Sequence, residues 1–239
     1  FVWEDILRCG RDLRRLSLYS KMVLSFTAAL ILGGGLFFLL AEWDNPATLG
    51  DMPGWKRVLN AAFQAVTLRT AGFDTIGQGN LRDSSLAMSC ILMLIGGSSG
   101  STAGGLKTVT VGVLFLTLRA GLAGREEVTL RGRSISHRRV MNALTLTLIV
   151  AVIFLAGSMI ISLVDDVPFL SAAFESASAM ATVGVTVGIT PTLSLFSHVL
   201  LICMMFLGRV GIMSFSIAFL ARSKYPAKIK YPTMDIMIG

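Results

Sequence analysis

Two stretches of the sequence resemble each other, and together they decide the fold. The first reads AAFQAVTLRTAGF over residues 61–73, and the second reads AAFESASAMATVGV over residues 172–185. Each begins with Ala-Ala-Phe and ends in a Thr-x-Gly-apolar segment. This recurrence predicts an internal repeat, in which every copy contains a helix, a short apolar half-helix, a Thr-x-Gly-apolar turn and a second helix.

The residues around these stretches predict membrane spans. Four runs lack charged residues except for one arginine, Arg209, in the last run; they cover residues 22–41, 84–106, 140–164 and 192–221. Each is long enough to cross a hydrocarbon core of about 30 Å as a helix. We therefore predict four spanning helices. Because each copy contains two spans, the copies have the same orientation in the membrane.

Two segments between the spans, residues 53–75 and 167–190, are too apolar for solvent-exposed loops. If they crossed the membrane fully, the basic clusters could not share one side, so we expect them to enter and return. Acidic residues and proline suit the start of a helix, and they occur at Asp51 and Pro53 and again at Asp165, Asp166 and Pro168. Each segment is therefore predicted to begin as a half-helix.

The composition excludes most soluble classes. Of 239 residues, 54% are hydrophobic and 15% are charged, whereas a soluble domain is about a quarter charged. The net charge of +7 is localised, because fifteen of the 21 Lys and Arg lie in residues 1–21, 119–139 and 222–230. The positive-inside rule makes these segments cytoplasmic. Three cysteines without CxxC spacing indicate neither a disulfide framework nor a zinc site.

The Thr-x-Gly-apolar segments have the composition of a cation-binding backbone. A half-helix that ends inside the membrane presents its negative end there, and glycine allows carbonyls to turn toward an axis. Rings of carbonyls replace the hydration shell of a monovalent cation. The alternative is an ordinary re-entrant turn. The candidate filter residues are Thr70, Ala71, Gly72, Phe73, Thr182, Val183, Gly184 and Val185.

A glycine-rich stretch, GGSSGSTAGGLK at residues 96–107, interrupts the second predicted span. Each glycine costs about 1 kcal/mol relative to alanine in a helix, so no regular helix is expected there. A phosphate-binding loop is the alternative, but the spacing misses that motif by one inserted leucine. Lys107 either adds a positive charge to a pore or extends to the cytoplasmic face. Arg209, deep in the last span, either faces a wet pathway or bonds a neighbouring helix.

Longer motifs carry a resemblance to a known family. LRTAGFDT (residues 68–75), the glycine-rich stretch, FLGRVG (residues 206–211) and the tail from Tyr231 resemble the Trk/Ktr potassium-uptake family. The resemblance implies an all-α membrane fold with four channel-like repeats around a pseudo-fourfold pore. This chain matches the third and fourth repeats, which form half of that pore. It begins at Phe1 and not at Met, and we expect the N-terminal repeats to be missing.

The same resemblance implies a division of the chain and a mechanism. The segments are a basic N-terminal segment (1–21), the first repeat (22–118), a basic linker (119–139), the second repeat (140–221) and a cytoplasmic tail (222–239). K⁺ would bind only at filter carbonyls, and an intramembrane loop with Arg209 would gate the pore. The gating residues would be Gly96, Gly97, Ser98, Ser99, Gly100, Ser101, Thr102, Ala103, Gly104, Gly105, Lys107 and Arg209.

The resemblance also implies the setting of the protein. It predicts potassium uptake across the plasma membrane by a homodimer with a cytosolic nucleotide-binding regulatory ring and contacts with membrane lipid. No catalytic residue, covalent cofactor or nucleic-acid partner is expected, so the protein is not predicted to be an enzyme. A sodium-coupled secondary transporter built from broken helices remains the alternative. It would have inverted repeats.

Overall fold

The computed structural model describes residues 2–9, 15–98, 103–125, 127–130 and 133–210. Helices dominate this part of the chain, and one short β-hairpin lies within the basic linker, residues 119–139. The helices are α1 (Val2–Cys9), α2 (Leu18–Ala41), α3 (Gly54–Thr67), α4 (Asp83–Leu94), α5 (Thr108–Leu122), α6 (His137–Asp165), α7 (Phe169–Ala181) and α8 (Leu195–Val210). The strands are β1 (Thr129–Leu130) and β2 (Arg133–Ser134), which pair antiparallel.

Two helices of the described part, α2 and α6, are long and apolar enough to cross a membrane. The other two predicted spans differ from the prediction. Within the second predicted span, residues 84–106, α4 ends at Leu94, and the next helix, α5, begins at Thr108, beyond that span. The fourth corresponds to α8, which is described only as far as Val210. Residues 211–221 of that predicted span lie outside the described residues.

The core is built around α7. Every residue from Ala172 to Ala181 is buried, and α7 packs against α4, α6 and α8. Its Phe174 belongs to one hydrophobic cluster with α2, α3 and α4, and its Met180 belongs to a second cluster with α6 and α8. Because α7 carries mostly small side chains, the surrounding helices approach it closely. It is therefore the central element of the described fold.

Helix α3 packs mainly against α2 and is far more exposed than α7. Trp55, Val58 and Leu59 on α3 are 66%, 54% and 61% exposed. The Arg57 guanidinium lies 4.9 Å from the Trp43 ring and also donates hydrogen bonds to three backbone carbonyls. One side of α3 thus presents a large apolar surface.

Two carboxylates connect the long helices to the helices that return. Glu42, directly after α2, is fully buried and accepts a hydrogen bond from the Arg82 N–H at the start of α4, at 3.0 Å. Asp165, the last residue of α6, accepts one from the Ser194 N–H before α8, at 2.8 Å. Burial raises the pKa of Glu42, but hydrogen bonds from Asn45, Thr48 and Arg82 outweigh this effect and lower it.

This arrangement corrects the predicted helix starts. Pro53 and Pro168 immediately precede α3 and α7, as expected of helix starts, but neither helix has an acidic residue in its first turn. Asp165 instead ends the preceding helix, and Asp166 follows it in a left-handed conformation with φ of 51°. Asp165 and Asp166 therefore end α6, and Asp51 lies before the first turn of α3.

Helices extend into the predicted basic segments. Residues 2–9 form α1, and the Asp5 carboxylate accepts hydrogen bonds from the Ser17 N–H and the Ser20 hydroxyl. These bonds lower the pKa of Asp5. Within residues 119–139, α5 continues to Leu122 and α6 begins at His137, with the β-hairpin between them.

Candidate functional site

Two helix–loop units contain the candidate filter residues. We call α3 with residues 68–77 the first unit and α7 with residues 182–190 the second unit. In each loop a threonine and a glycine adopt left-handed backbone angles: φ is 72° at Thr70 and 78° at Gly72, and 54° at Thr182 and 91° at Gly184. A threonine in this region is strained by about 1–2 kcal/mol. The same unusual turn is therefore held in both units.

In the first unit, the end of α3 and one hydroxyl define the turn. The N–H groups of Ala71 and Gly72 both donate to the Thr67 carbonyl, at 3.0 and 3.1 Å. The Thr67 hydroxyl accepts from the Phe73 N–H at 2.8 Å and donates to the Phe73 carbonyl at 2.6 Å. Since Thr67 itself is buried, these bonds from its carbonyl and its hydroxyl fix the loop to the end of α3.

A buried pair of glutamines supports the outer part of the first loop. Gln64 on α3 and Gln78 exchange two side-chain hydrogen bonds, at 2.6 and 3.2 Å. Gln78 also donates to Asp74, which in turn accepts from the N–H groups of Ile76 and Gly77. The carboxylate of this network therefore lies on the loop, and the helix contributes only a neutral amide.

The second unit uses a carboxylate on the helix instead. Glu175, 5% exposed, accepts hydrogen bonds from the Thr186 hydroxyl, from the Val187 N–H at 3.0 Å and from the Thr190 hydroxyl at 2.9 Å. Ser178 completes the support: its carbonyl accepts from the Val183 N–H at 2.9 Å, and its hydroxyl accepts from the Gly184 N–H at 3.2 Å.

The two loops meet at Gly72. A Cβ atom built on Gly72 would lie 2.2 Å from the Val183 carbonyl oxygen, which no real side chain could tolerate. Likewise, a Cβ on Gly79 would lie 2.6 Å from the Val187 carbonyl oxygen. Glycine at these positions permits the backbones of the two loop regions to touch. The Val183 carbonyl of the second unit thus lies against the Gly72 backbone of the first unit.

The break between α4 and α5 lies against both units. We use this name for residues 95–107, of which Ser99, Gly100, Ser101 and Thr102 lie outside the described residues. The two ends of the break are joined, because the Leu106 N–H donates to the Leu94 carbonyl at 2.9 Å. The Gly104 N–H donates to the Thr182 hydroxyl at 3.2 Å, which connects the break to the second loop.

The two predicted gating cations lie near this contact. The Lys107 ammonium donates to the Ala103 carbonyl within the break, and Arg209 is close enough to Lys107 for their charges to interact. Beside Arg209, a Cβ on Gly208 would lie 1.9 Å from the Met180 carbonyl oxygen at the end of α7.

One residue of the first loop motif received no predicted role. The Arg69 side chain extends from the first loop to the break, where it donates to the Thr108 hydroxyl at 3.1 Å and to the Gly96 carbonyl at 3.4 Å. The strain at Thr70 and Thr182 and the Gln64–Gln78 pair were also not predicted. The position of each threonine before a filter glycine was the only sequence signal for the strain.

These features define an all-α membrane protein whose irregular backbone lies between helices. No cluster of His, Cys, Asp or Glu able to hold a metal ion occurs in the described part of the chain. Residues 16–227 match the family described as TrkH, cation transport protein. The chain belongs to this family of cation transporters.

Individual relatives agree with this assignment. The chain is 39% identical to the potassium/sodium uptake protein NtpJ of Enterococcus hirae and 33% identical to the Ktr system potassium uptake protein B of Bacillus subtilis. Each alignment covers 100% of the chain and 53% of the relative. The chain therefore spans about half the length of these relatives.

The fold is also similar to a solved structure, the potassium transporter TrkH from Vibrio parahaemolyticus. The TM-score is 0.68 at 21% sequence identity, over 92% of this chain and 48% of that one. At this identity the similarity concerns the fold. It agrees with the all-α membrane transporter architecture.

Proposed function

We propose that this chain forms half of the wall of a potassium-uptake pore. The contact between the two loops is the observation that carries the proposal: two turns with left-handed glycines, one after α3 and one after α7, bring the Val183 carbonyl of the second loop against Gly72 of the first. Carbonyls in such an arrangement replace the water around a monovalent cation. The partial negative charge at the ends of α3 and α7 favours a cation at the same place.

Supporting networks fit this role. A filter must hold its carbonyls in position while the ion exchanges water for protein oxygen, and the buried Gln64, Thr67, Glu175 and Ser178 hold the two loops. The names of the relatives NtpJ and Ktr system potassium uptake protein B refer to potassium uptake, and the name of NtpJ also refers to sodium. We propose K⁺ as the transported ion, bound only at the filter carbonyls.

We further propose that the α4–α5 break and its cations obstruct the pore below the filter. Gly104 lies against the second loop, and a Cβ at this position would lie 2.7 Å from the Ala181 carbonyl oxygen and 2.8 Å from the Thr182 hydroxyl. Lys107 and Arg209 add positive charge near this contact. A permeating cation would be repelled until the break withdrew from the second loop.

The rest of the pore would come from repeats outside this chain. The relatives are about twice as long, and α3 leaves a large apolar face that a further repeat would cover. We propose a plasma-membrane protein with this chain's N- and C-terminal segments in the cytoplasm, acting as a homodimer in contact with lipid. A cytosolic nucleotide-binding ring would dock at the basic segments.

Uptake of ⁸⁶Rb⁺ by the full-length protein, expressed in cells that lack their own potassium uptake, tests the filter. Gly72→Asp and Gly184→Asp should each abolish uptake. Gly54→Asp is the matched control, because Gly54 begins α3, has no atom within 4 Å of a built Cβ, and should tolerate the change. Uptake by Gly72→Asp or Gly184→Asp equal to that of the parent would refute the filter assignment.

The proposed gate has a separate test. Gly104→Val should push the break away from the second loop and raise basal uptake in cells without a regulatory partner. Gly121→Val, at a position of α5 with no atom within 4 Å of a built Cβ, is the control for the added side chain. Unchanged basal uptake in Gly104→Val, with normal amounts in the membrane, would remove the break from the gating mechanism.

A further inference from the structure

Arg69 is the only arginine between residues 58 and 81, and its side chain leaves its own unit. It lies in the first loop, directly before the strained Thr70. Its guanidinium donates to two groups at opposite ends of the α4–α5 break, the Gly96 carbonyl near its start and the Thr108 hydroxyl directly after it. One side chain of the first loop therefore contacts the break at both ends.

The two acceptors are themselves joined. The Thr108 hydroxyl donates to the Gly96 carbonyl at 3.3 Å, and the Thr108 N–H donates to the Gly97 carbonyl at 3.1 Å. Gly96 has no room for a side chain, because a Cβ there would lie 2.1 Å from the Gly104 carbonyl oxygen. Movement at the Gly96–Thr108 junction would therefore be transmitted directly to Gly104, which contacts the second loop.

The placement of Arg69 is costly. A guanidinium at membrane depth is rare and normally pairs with carbonyls or marks an ion pathway. Its Nε atom is buried and has no hydrogen-bond partner among the described residues, so the side chain is not fully compensated. The second unit has Met180 and Ala181 at the aligned positions, with no side-chain donor. In the second unit, the uncharged Thr182 hydroxyl makes the contact with the break. A purely structural contact by the first loop could likewise have been made by an uncharged side chain.

We infer that Arg69 is a positioning residue that couples the first filter loop to the α4–α5 break. Its guanidinium fixes the junction of Gly96 and Thr108, and this junction holds Gly104 against Thr182. The inference rests on the proposed function in one respect, because loss of the coupling would change basal K⁺ flux only if this chain forms part of a pore. The coupling itself is a property of the fold and can be measured without transport.

The test uses the full-length protein with Ala103→Cys as a reporter of the break. Ala103 is 8% exposed, so a thiol there should react slowly with a charged, membrane-impermeant thiol reagent applied to inside-out vesicles. Adding Arg69→Gln should accelerate the reaction about tenfold, the expected effect of losing a charge-assisted hydrogen bond. Thr108→Val should give a smaller acceleration. Each variant is compared with the same protein lacking the new cysteine.

A double variant distinguishes coupling from general loosening. If Arg69 acts through Thr108 and Gly96, Arg69→Gln with Thr108→Val should react little faster than Arg69→Gln alone. Arg57→Gln is the matched control, because Arg57 lies in the first unit and also donates to backbone carbonyls, but those carbonyls belong to residues 43–52 and not to the break. Its reaction rate should equal that of the parent.

Two results would overturn the inference. One is an Arg69→Gln protein present in normal amount whose thiol reacts at the parental rate; the other is a double variant whose acceleration is the product of the two single effects. If Arg69→Gln does not reach the membrane, the same thiol-reaction rates are measured for Arg69→Lys and Thr108→Val. Lysine cannot reproduce the planar set of guanidinium donors, so Arg69→Lys should also accelerate the reaction. Uptake of ⁸⁶Rb⁺ is measured in parallel. A loss of all transport in the parent would refute the proposed function without altering the accessibility comparison.

Discussion

The first and second units hold almost the same backbone turn by different chemistry. In the first, α3 contributes the neutral Gln64 and the loop contributes the carboxylate of Asp74; in the second, α7 contributes the carboxylate of Glu175 and the loop contributes hydroxyls. Both arrangements end in a left-handed threonine and a left-handed glycine. The comparison shows that two different sets of side chains support a similar backbone turn.

The units also differ in their surroundings. α7 is buried over ten consecutive residues, whereas several large side chains of α3 are exposed. Tight packing therefore fixes the second unit from all sides, and the first unit depends more on hydrogen bonds within itself and on Arg69. We expect substitutions in polar groups to be more damaging in the first unit, and the following experiments examine that difference.

The largest effect is expected at the filter glycines. Gly72→Ala should abolish ⁸⁶Rb⁺ uptake, because the new methyl group would collide with the Val183 carbonyl as well as strain the backbone. Gly184→Ala should retain measurable uptake, because among the described residues no atom lies within 4 Å of its built Cβ. Equal losses in the two variants would show that backbone strain alone decides tolerance and that the loop contact is unimportant.

A smaller difference is expected from exchanging the buried polar groups. Gln64→Glu should lower the thermal stability in detergent strongly, since it places a second carboxylate beside Gln78 and Asp74 and removes a donor. Glu175→Gln should cost only about 1 kcal/mol, because its remaining oxygen still accepts from Val187 and a threonine hydroxyl can reverse its bond. Greater destabilisation by Glu175→Gln would reverse the proposed order.

The smallest effect concerns the carboxylates that connect the helices. The pKa of Glu42 is lowered in the folded protein, so its charged form stabilises the fold above the ordinary value of 4.5, and this stabilisation is lost as the pH falls through the folded value. Thermal unfolding should therefore show Glu42→Gln a few degrees less stable at neutral pH and less sensitive to acid. Asp165→Asn, whose remaining oxygen can still accept from the Ser194 N–H, should have a weaker effect. An acid response identical to that of the parent in Glu42→Gln would contradict this assignment.

The sequence predicted the helical membrane fold because apolar runs, basic clusters and repeated Thr-x-Gly segments are all visible in one dimension. The glycine-rich stretch also marked where a helix cannot continue. The resemblance to the Trk/Ktr family is confirmed by the match over residues 16–227. The roles of the individual filter and gating residues stay predictions.

Other features could not be predicted, because they depend on which distant groups meet. Nothing local to Arg69 indicates that it reaches Thr108, which lies on another helix. Similarly, the acidic Asp165 has the sequence context of a helix start, yet it binds Ser194 across a separation of 29 residues. The strain at Thr70 and Thr182 is imposed by the packing of the loops and contradicts the ordinary preference of threonine.

The burial of α7 has a consequence for biosynthesis. α7 contains Glu175, Ser176 and Ser178, whose polar groups are shielded by other helices and by the second loop, and it is too short to cross a bilayer. It therefore cannot enter lipid as an independent segment when it leaves the ribosome. Its insertion must wait until α8 has been synthesised, so that the final helix closes around it. Synthesis that stopped before α8 would leave α7 at the membrane surface, where quality-control proteases could reach it.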